Sequence, residues 1–167
     1  SGFGLKDHRT KQTTLLKMVE EGVRLHPAVT LRENTRDGVS PNFQAAGFIR
    51  PDQVTLIEAG AFHDCLVSPR SAKEYDVPTN GASNAEAPES VDMAAGVPPV
   101  CILDPDGDIV RRLGTGVYIN NLWYLNYSDR SACRITGMTR FATFWVEGGV
   151  IQAPLSVMRF DESIYRM

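Results

Sequence analysis

Residues 118–147 read YINNLWYLNYSDRSACRITGMTRFATFWVE, and this stretch decides the fold class. It holds both tryptophans of the chain, Trp123 and Trp145, among many β-branched and aromatic residues, which are typical of β-strands. Hydroxyl side chains, arginines and Cys133 lie between its apolar runs. The stretch therefore predicts strands that carry a polar recognition surface, and it does not contain a complete catalytic set of residues.

The neighbouring segments extend this β-rich region to about residues 116–160. Residues 117–126 and 141–146 favour strands, and the Glu-Gly-Gly run at 147–149 has the turn chemistry of a hairpin into residues 150–153. Bulky residues occupy both faces of the strand before this turn. We therefore expect that strand to be central in its sheet.

The first part of the chain predicts one long helix and several short strands. Leucine and valine recur at three- and four-residue steps over about residues 10–26, which is the spacing of an amphipathic helix ending before Pro27. Short β-type runs follow at residues 28–31, 54–57 and 62–67. The whole pattern predicts an α+β fold, mainly antiparallel β-sheet with a few helices.

Two further helices and one long loop are predicted between these regions. Ser68 before a proline predicts a helix start, with the helix ending near Tyr75, and a second short helix lies at residues 109–114. Residues 76–99 are rich in Ala, Pro, Asn, Ser and Gly without apolar periodicity, and predict a surface loop. Asp161 is a candidate cap for a last helical turn.

Composition limits the classes of function. The chain has 167 residues, 43% of them hydrophobic and 22% charged, so we expect one domain over residues 1–167, as a fragment of a longer chain. Seventeen Lys and Arg against twenty Asp and Glu give a net charge of -3, which disfavours a nucleic-acid partner. No signal-peptide or membrane-spanning pattern is present, so we expect no membrane partner and a cytoplasmic location.

The reactive residue types do not form a recognisable catalytic or metal site. His63, Asp64 and Cys65 are adjacent, but a structural histidine and a buried thiol are the favoured interpretation. No pair of histidines has the HExxH spacing of a zinc helix. The aspartates at 104–108 resemble a calcium loop only in part, since Thr115 stands where the closing glutamate belongs, and a turn with a helix cap is favoured.

Polar residues inside the β-rich stretch are the candidate binding residues. Polar groups on strands must find partners or line a cleft, and the pattern leaves a solvated turn and a binding cleft equally open. The candidate substrate or interface residues are Asn126, Arg130, Cys133, Thr136, Thr139 and Arg140.

Three motifs resemble one known family. Residues 136–149, TGMTRFATFWVEGG, followed by APLSVMRF at 153–160, resemble the C-terminal domain of the TldD/PmbA family, once called modulators of DNA gyrase and now regarded as metalloprotease-related. The upstream SPRSAKEYDVPTNGA at 68–82 resembles the same family. The resemblance covers the chain from about residue 66 onward.

This resemblance implies a domain of a zinc metallopeptidase assembly that acts on unfolded peptides. In the TldD-type subunit an HExxxH helix and a late cysteine hold the zinc, and this sequence matches neither motif, so no ligand role passes to Cys133. The resemblance implies zinc in the complete assembly, a second TldD/PmbA-type subunit in a homo- or heterodimer, and no activity of this fragment alone. Whether the parent chain is of the zinc-bearing or zinc-free type stays open.

The sequence therefore predicts a substrate-cleft or subunit-contact domain. An extended peptide can be held by main-chain hydrogen bonds to strand edges, while Thr, Asn and Arg side chains fix its ends. The alternative is a non-catalytic interaction domain, whose aromatic strands serve only dimerisation.

Overall fold

The computed structural model describes residues 2–93 and 108–166, which form two compact units. The prediction that residues 1–167 form one domain stays a prediction. The first unit comprises residues 2–93 with Arg130–Cys133 and Arg166, and the second comprises residues 108–129 and 134–165.

The described residues form four α-helices, one 3-10 helix and ten strands, which confirms the α+β class. The helices are α1 (Leu5–Arg9), α2 (Leu16–Glu20), α3 (Pro69–Tyr75) and α4 (Ile109–Leu113), and the 3-10 helix is Ile164–Arg166. The strands are β1 (Leu31–Asn34), β2 (Gln53–Glu58), β3 (Ala61–Phe62), β4 (Val91–Met93), β5 (Gly116–Ile119), β6 (Leu122–Asp129), β7 (Arg134–Thr139), β8 (Thr143–Glu147), β9 (Val150–Pro154) and β10 (Arg159–Ser163).

The first unit is built on a four-stranded antiparallel sheet with the order β3-β2-β1-β4. The strand predicted at residues 54–57 is confirmed within β2, where Leu56 and Ile57 are fully buried. Leu56 packs against Leu66 and Ala82. Burial of these side chains supplies the apolar stabilisation of the sheet.

The other two strands predicted in this unit differ from the structure. Residues 28–31 begin as a turn, because the Val29 N–H donates to a preceding carbonyl, and β1 starts only at the end of that run. The run at residues 62–67 leaves the sheet after β3. There the Cys65 N–H donates to Asp64 Oδ1 at 2.7 Å, and this local hydrogen bond competes with strand pairing.

The single helix predicted over residues 10–26 is wrong, since the structure has α1 and α2 as separate short helices. The Thr13 hydroxyl donates to the Gly2 carbonyl at 2.6 Å and accepts from the Leu15 N–H at 3.0 Å. Lys11 has a left-handed φ of 56°. These side-chain bonds and this conformation interrupt the helical pattern that the leucine and valine spacing predicts.

Helix α3 confirms the helix predicted to start after Ser68 and to end near Tyr75. Ser68 Oγ accepts from the Ser71 N–H at 3.1 Å and donates to Glu86 Oε1 at 2.9 Å. Burial acts to raise the pKa of Glu86, but hydrogen bonds from Ser71, Lys6 and Ser68 outweigh it and lower the pKa. The buried Glu86 carboxylate therefore accepts hydrogen bonds from the N-terminal ends of both α1 and α3.

A cluster of charged side chains holds the segment just before β4, the edge strand that pairs with β1. The Arg50 guanidinium bonds both carboxylate oxygens of Glu89 at 3.0 Å, and Glu33 accepts the backbone N–H groups of Glu89 and Ser90. The surface loop predicted over residues 76–99 is therefore wrong where β4 pairs with β1. The part of that loop after β4 lies outside the described residues.

The second unit has two three-stranded antiparallel sheets, with the orders β10-β7-β6 and β5-β8-β9. The strand predicted at residues 141–146 is β8, and its central position is confirmed. The hairpin from β8 to β9 is also confirmed. Gly148 and Gly149 form its turn with φ of 57° and 75°, which glycine adopts without steric cost.

Helix α4 confirms the short helix predicted at residues 109–114. The Asp108 side chain accepts from the Arg111 N–H at 3.0 Å, and Gly114 ends the helix with a φ of 66°. The helix cap predicted at this point is therefore confirmed, while Asp104 and Asp106 lie outside the described residues.

Residues 117–126 form two strands in different sheets, where a single strand was predicted. The chain leaves the first strand at Asn120, whose N–H donates to the Ala142 carbonyl at 3.4 Å. The Arg140 N–H donates to the Asn121 carbonyl at 3.1 Å. The connection between β5 and β6 is thus hydrogen-bonded to the connection between β7 and β8. These bonds separate residues 117–126 into two strands.

Two polar segments also belong to strands. Thr136 and Thr139, which the sequence places between apolar runs, lie within β7 at the centre of its sheet. Asp161 does not cap a helical turn, because it lies within β10 opposite Thr136, and only the 3-10 helix follows. Backbone pairing between distant segments overrides the local polarity of both runs.

His8 is a half-buried histidine on α1. Its ring centroid lies 4.9 Å from that of Phe62, and both ring nitrogens are shielded from solvent. Burial lowers the pKa of His8 below its ordinary value, although the Asp7 and Glu86 carboxylates act to raise it. The folded chain therefore favours the neutral imidazole.

We predict that this histidine makes stability fall in mild acid. Above the unfolded pKa of about 6.5 both states hold neutral His8, whereas below it the unfolded state binds the proton more readily. The loss begins as pH falls through that value and is complete below the lower, folded pKa. Urea unfolding between pH 8 and pH 5 should show a smaller loss for His8→Phe than for the exposed-site control His63→Gln. Equal losses in the two variants would contradict the assignment.

Candidate recognition surface

The sheet β10-β7-β6 brings three of the predicted site residues to one face. Asn126 and Thr136 are opposite each other in the register of β6 and β7, and Arg140 reaches the same face by stacking on Trp123. Alternation along the strands places the other members. The Trp123 face comprises Trp123, Asn126, Asp129, Arg134, Thr136, Met138, Arg140, Arg159, Asp161 and Ser163.

The opposite face of this sheet has two apolar side chains packed over Gly137 at its centre. A Cβ atom on Gly137 would come within 2.7 Å of Leu125 Cδ2 and 2.8 Å of the Phe160 ring. The two side chains therefore occupy the space that any larger residue would need. Alternation along β7 and β10 leaves Thr136, Arg159 and Asp161 on the Trp123 face, while Thr139 and Glu162 lie on the side of Gly137.

Arg140 is an exposed cation held between two aromatic rings. Its guanidinium carbon lies 4.1 Å from the Trp123 ring centroid and 5.2 Å from that of Phe141. Stacking on a ring limits the motion of the guanidinium and leaves its in-plane N–H groups for planar acceptors such as carboxylates. The arrangement is suited to binding an anion.

The two threonines of the predicted set are bonded inside the sheet. Thr136 Oγ1 donates to the Phe160 carbonyl at 3.0 Å and accepts from Arg159 Nε at 3.2 Å. Thr139 is 3% exposed, and its Oγ1 accepts from the Met158 N–H at 2.9 Å. Both hydroxyls therefore position β10 against β7.

The remaining predicted residues differ in exposure. Cys133 is buried in the turn between β6 and β7, and burial raises the pKa of its thiol. A protonated thiol is a poor nucleophile and metal ligand. Arg130 is exposed at the same turn, and Asn126 is exposed with its Oδ1 accepting from the Tyr127 N–H at 3.0 Å.

Trp123 and Arg159 complete this face, although the sequence did not single them out as site residues. Trp123 pairs in register with Met138, which in turn pairs with Arg159. The sequence signal that could have identified them is the two-residue alternation of side chains within residues 134–139. Recognising that run as a strand would have placed Thr136 and Met138 on one side of the sheet.

Strand β6 is an exposed edge. It has a neighbour on one side only within its sheet, and all eight of its residues are exposed. Its large apolar side chains are 45–69% exposed. They are Leu122, Trp123, Tyr124, Leu125 and Tyr127.

The sheet β5-β8-β9 carries a second exposed face, which is mainly apolar and has the exposed Glu147 at one end. Val117 lies opposite Trp145 in register, Ile119 opposite Thr143, and Val150 opposite Glu147, so alternation puts the four apolar or aromatic members on one side. They are 37–59% exposed. The Trp145 face comprises Val117, Ile119, Trp145 and Val150.

The adjacent His63, Asp64 and Cys65 do not form a nucleophilic site. His63 is exposed, with Nε2 at 3.7 Å from Glu58 Oε2. Cys65 is buried, and burial raises the pKa of its thiol to about 11, helped by the Asp64 charge. The buried thiol that the sequence favoured is therefore confirmed.

The described part of the chain has neither a metal-binding cluster nor a membrane-spanning helix. Within residues 2–93 and 108–166, no group of three or more His, Cys, Asp or Glu side chains is arranged to hold a metal ion. Across the same residues, every helix is too short or too polar to cross a bilayer.

Comparison with known proteins gives one family and a set of similar structures. The family described as "PmbA/TldA metallopeptidase C-terminal domain" matches residues 6–167. No curated protein matches the sequence significantly. The chain spans just over a third of the length of the three solved proteins that follow.

The three crystal structures share the fold at low sequence identity. A proposed DNA gyrase modulator from Thermotoga maritima gives a TM-score of 0.73 at 15% identity, covering 98% of this chain and 37% of that chain. TldE from Thermococcus kodakarensis gives 0.71 at 18%, covering 99% and 38%. A further proposed gyrase modulator, from Bacteroides thetaiotaomicron, gives 0.67 at 16%, covering 98% and 35%.

We predict that Thr139 stabilises the sheet that carries the Trp123 face. Thr139→Val keeps the shape of the side chain but leaves the Met158 N–H without its acceptor, which should lower the free energy of unfolding by about 1–3 kcal/mol. The control Thr115→Val removes a hydroxyl that accepts from the Gly148 N–H at 3.3 Å, but both groups are exposed and water can replace the bond, so the cost should be less than about 0.5 kcal/mol. Chemical unfolding followed by circular dichroism measures both. Equal stability of the two variants would leave Thr139 without this positioning role.

Proposed function

This chain belongs to the PmbA/TldA metallopeptidase family as its C-terminal domain, and from this membership we propose that it forms the substrate cleft or a subunit contact of a zinc metallopeptidase assembly acting on unfolded peptides. The match confirms the family resemblance of the sequence motifs. The observation that carries the proposal is the fully exposed edge strand β6 beside the Trp123 face.

An edge strand can hold an unfolded peptide through its backbone. Backbone N–H and C=O groups on the outer side of an edge strand such as β6 can pair with an extended chain, and such main-chain bonds do not depend on the peptide's sequence. Folded proteins have few free backbone groups of this kind, so this mode selects unfolded segments. We propose that β6 receives the substrate as an added strand.

Side chains on and near the Trp123 face would position that peptide. Asn126 and Arg140 offer an amide and a guanidinium at the surface, and Thr136 orients Arg159 beside them. Arg130 is exposed at the end of β6. Cys133 and Thr139 are buried, and in this proposal they support the turn and the sheet.

Zinc, in this proposal, is held elsewhere in the complete assembly. The described residues supply no donor set for a metal, and the sequence contains neither an HExxxH helix nor the family's late cysteine motif. The residues therefore do not fit a zinc site, and this domain's part is to bind and orient the peptide.

The Trp145 face supports a contact with a second TldD/PmbA-type subunit, in a homo- or heterodimer. Four neighbouring apolar side chains on one exposed sheet face are typical of a surface that another protein covers. The net charge of -3 favours peptide and protein partners over nucleic acid. A cytoplasmic location stays a prediction.

In the second candidate function, the Trp145 face serves dimerisation and the domain takes no part in peptide processing. If the Trp145 face serves dimerisation alone, the domain is a non-catalytic interaction module with no role in peptide processing. The exposed apolar residues on both sheets favour association in either case, so association and processing must be measured separately.

We predict that Arg130→Ala combined with Arg140→Ala weakens peptide processing by the full-length complex. Loss of charge-assisted hydrogen bonds to the peptide should lower kcat/KM about tenfold or more. The readout is cleavage of a labelled unfolded peptide of mixed composition. Arg24→Ala, an exposed arginine of the first unit, is the matched control and should keep the original rate. Unchanged processing in the double variant would remove the cleft assignment.

We also predict that Trp145→Ser weakens subunit association, while Trp123→Ser does not. Removing a central aromatic contact should raise the dissociation constant about tenfold or more. Light scattering of the full-length protein across a dilution series measures this, with circular dichroism to verify folding. Two unaffected variants would contradict the subunit contact. Loss of the dimer with unchanged processing would favour the interaction module over the cleft.

A further inference from the structure

Two arginines on the Trp123 face have no carboxylate partner among the described residues. Arg134 is paired, since its Nη1 lies 3.2 Å from Asp161 Oδ1. Arg140 contacts only aromatic rings through its guanidinium, and Arg159 Nε donates to the Thr136 hydroxyl. The face therefore offers two exposed arginine side chains that form no ion pair with another described residue.

These two arginines flank an apolar strip. Arg159, Met138 and Trp123 form one row across the sheet, and the Arg140 guanidinium lies over the Trp123 ring at the far end. Neighbouring strands are about 4.8 Å apart, so the ends of this row are roughly 10 Å apart. Two cations are thus held at a defined spacing on either side of Met138.

We propose that the Trp123 face binds acidic side chains of an extended peptide, so that the assembly prefers unfolded segments rich in Glu or Asp. This inference rests on the proposed function and names its substrate class. Guanidinium groups bind carboxylates with paired, parallel hydrogen bonds. The stacked position of Arg140 and the hydroxyl bond of Arg159 hold both groups before the peptide arrives, which reduces the entropy lost on binding.

The spacing suits alternate residues of an extended segment that leaves the β6 edge and crosses the Trp123 face, because the row from Trp123 to Arg159 runs across the strands. Side chains at positions i and i+2 of an extended peptide project to one side about 7 Å apart. Long glutamate and arginine side chains span the remaining distance. A Glu-x-Glu segment can therefore place one carboxylate near Arg140 and the other near Arg159, with the residue between them facing away from the sheet.

Acidic groups on the same face count against a nucleic acid as the ligand. Asp161 lies in β10 opposite Thr136, and Asp129 lies at the end of β6 opposite Arg134. A continuous phosphate backbone needs a run of cations to replace its counterions. Separate carboxylates need only the two arginines, so the charge pattern favours an acidic peptide.

Fluorescence anisotropy with the full-length protein tests this. Two dye-labelled peptides of the same length, Ala-Thr-Glu-Val-Glu-Thr-Ala and its Gln-for-Glu counterpart, differ only in charge. Two exposed ion pairs should make the Glu peptide bind about five- to tenfold more tightly at low salt. Arg140→Ala and Arg159→Ala should each reduce this ratio, and Arg24→Ala should preserve it. Binding of the Gln peptide shows that each variant is folded.

The outcomes separate this inference from the proposed function. Equal binding of the Glu and Gln peptides by the unmodified protein would overturn the acidic preference and leave peptide binding intact. Binding of neither peptide would overturn both. Displacement of the Glu peptide by a short oligothymidylate, lost in Arg140→Ala, would assign the face to single-stranded nucleic acid instead. If both arginine variants keep the same ratio of Glu-peptide to Gln-peptide affinity, the Trp123 face is not the site of the acidic preference and the inference is overturned.

Discussion

The close approach of Leu125 and Phe160 over Gly137 is the constraint on which the recognition surface depends. Because no side chain can occupy position 137, both apolar groups lie on that side of the central strand β7. Alternation then leaves Thr136, Arg159 and Asp161 on the opposite face. Thr136 is fixed there by its bond to the Phe160 carbonyl, so the same strand pairing that packs two apolar groups over Gly137 orients the polar groups of the other face.

The first unit differs from the second because it contains several buried charged side chains. Arg50, Glu33 and Glu89 are kept in or near the interior by mutual contacts and by backbone N–H groups, and Glu86 receives donors from the starts of α1 and α3. Removing a single partner from such a cluster leaves an uncompensated buried charge, which is costly. The first unit is therefore stabilised in part by buried ion pairs and hydrogen bonds, while the second unit has two exposed sheet faces.

The two exposed faces of the second unit have different chemistry. The Trp123 face combines cations, amide and hydroxyl groups with an aromatic ring, next to an open strand edge. The Trp145 face is mainly apolar, with Glu147 at one end. A surface of the first kind suits a ligand with varied side chains and a free backbone, whereas the second suits a constant protein partner that excludes water. One small unit thereby carries both halves of the proposed role.

Local chemistry allowed the sequence to predict the α+β class, the Ser68 cap, the glycine hairpin, the central strand after Arg140 and the family signature. Each of these depends on neighbouring residues or on a short motif. Tertiary structure alone decided that residues 10–26 break at Thr13 and that residues 134–139 are a strand. It also decided that Asn126, Thr136 and Arg140 share a face while Thr139 is buried. Those outcomes depend on register between distant segments, and a shift of one residue exchanges the two faces of a sheet.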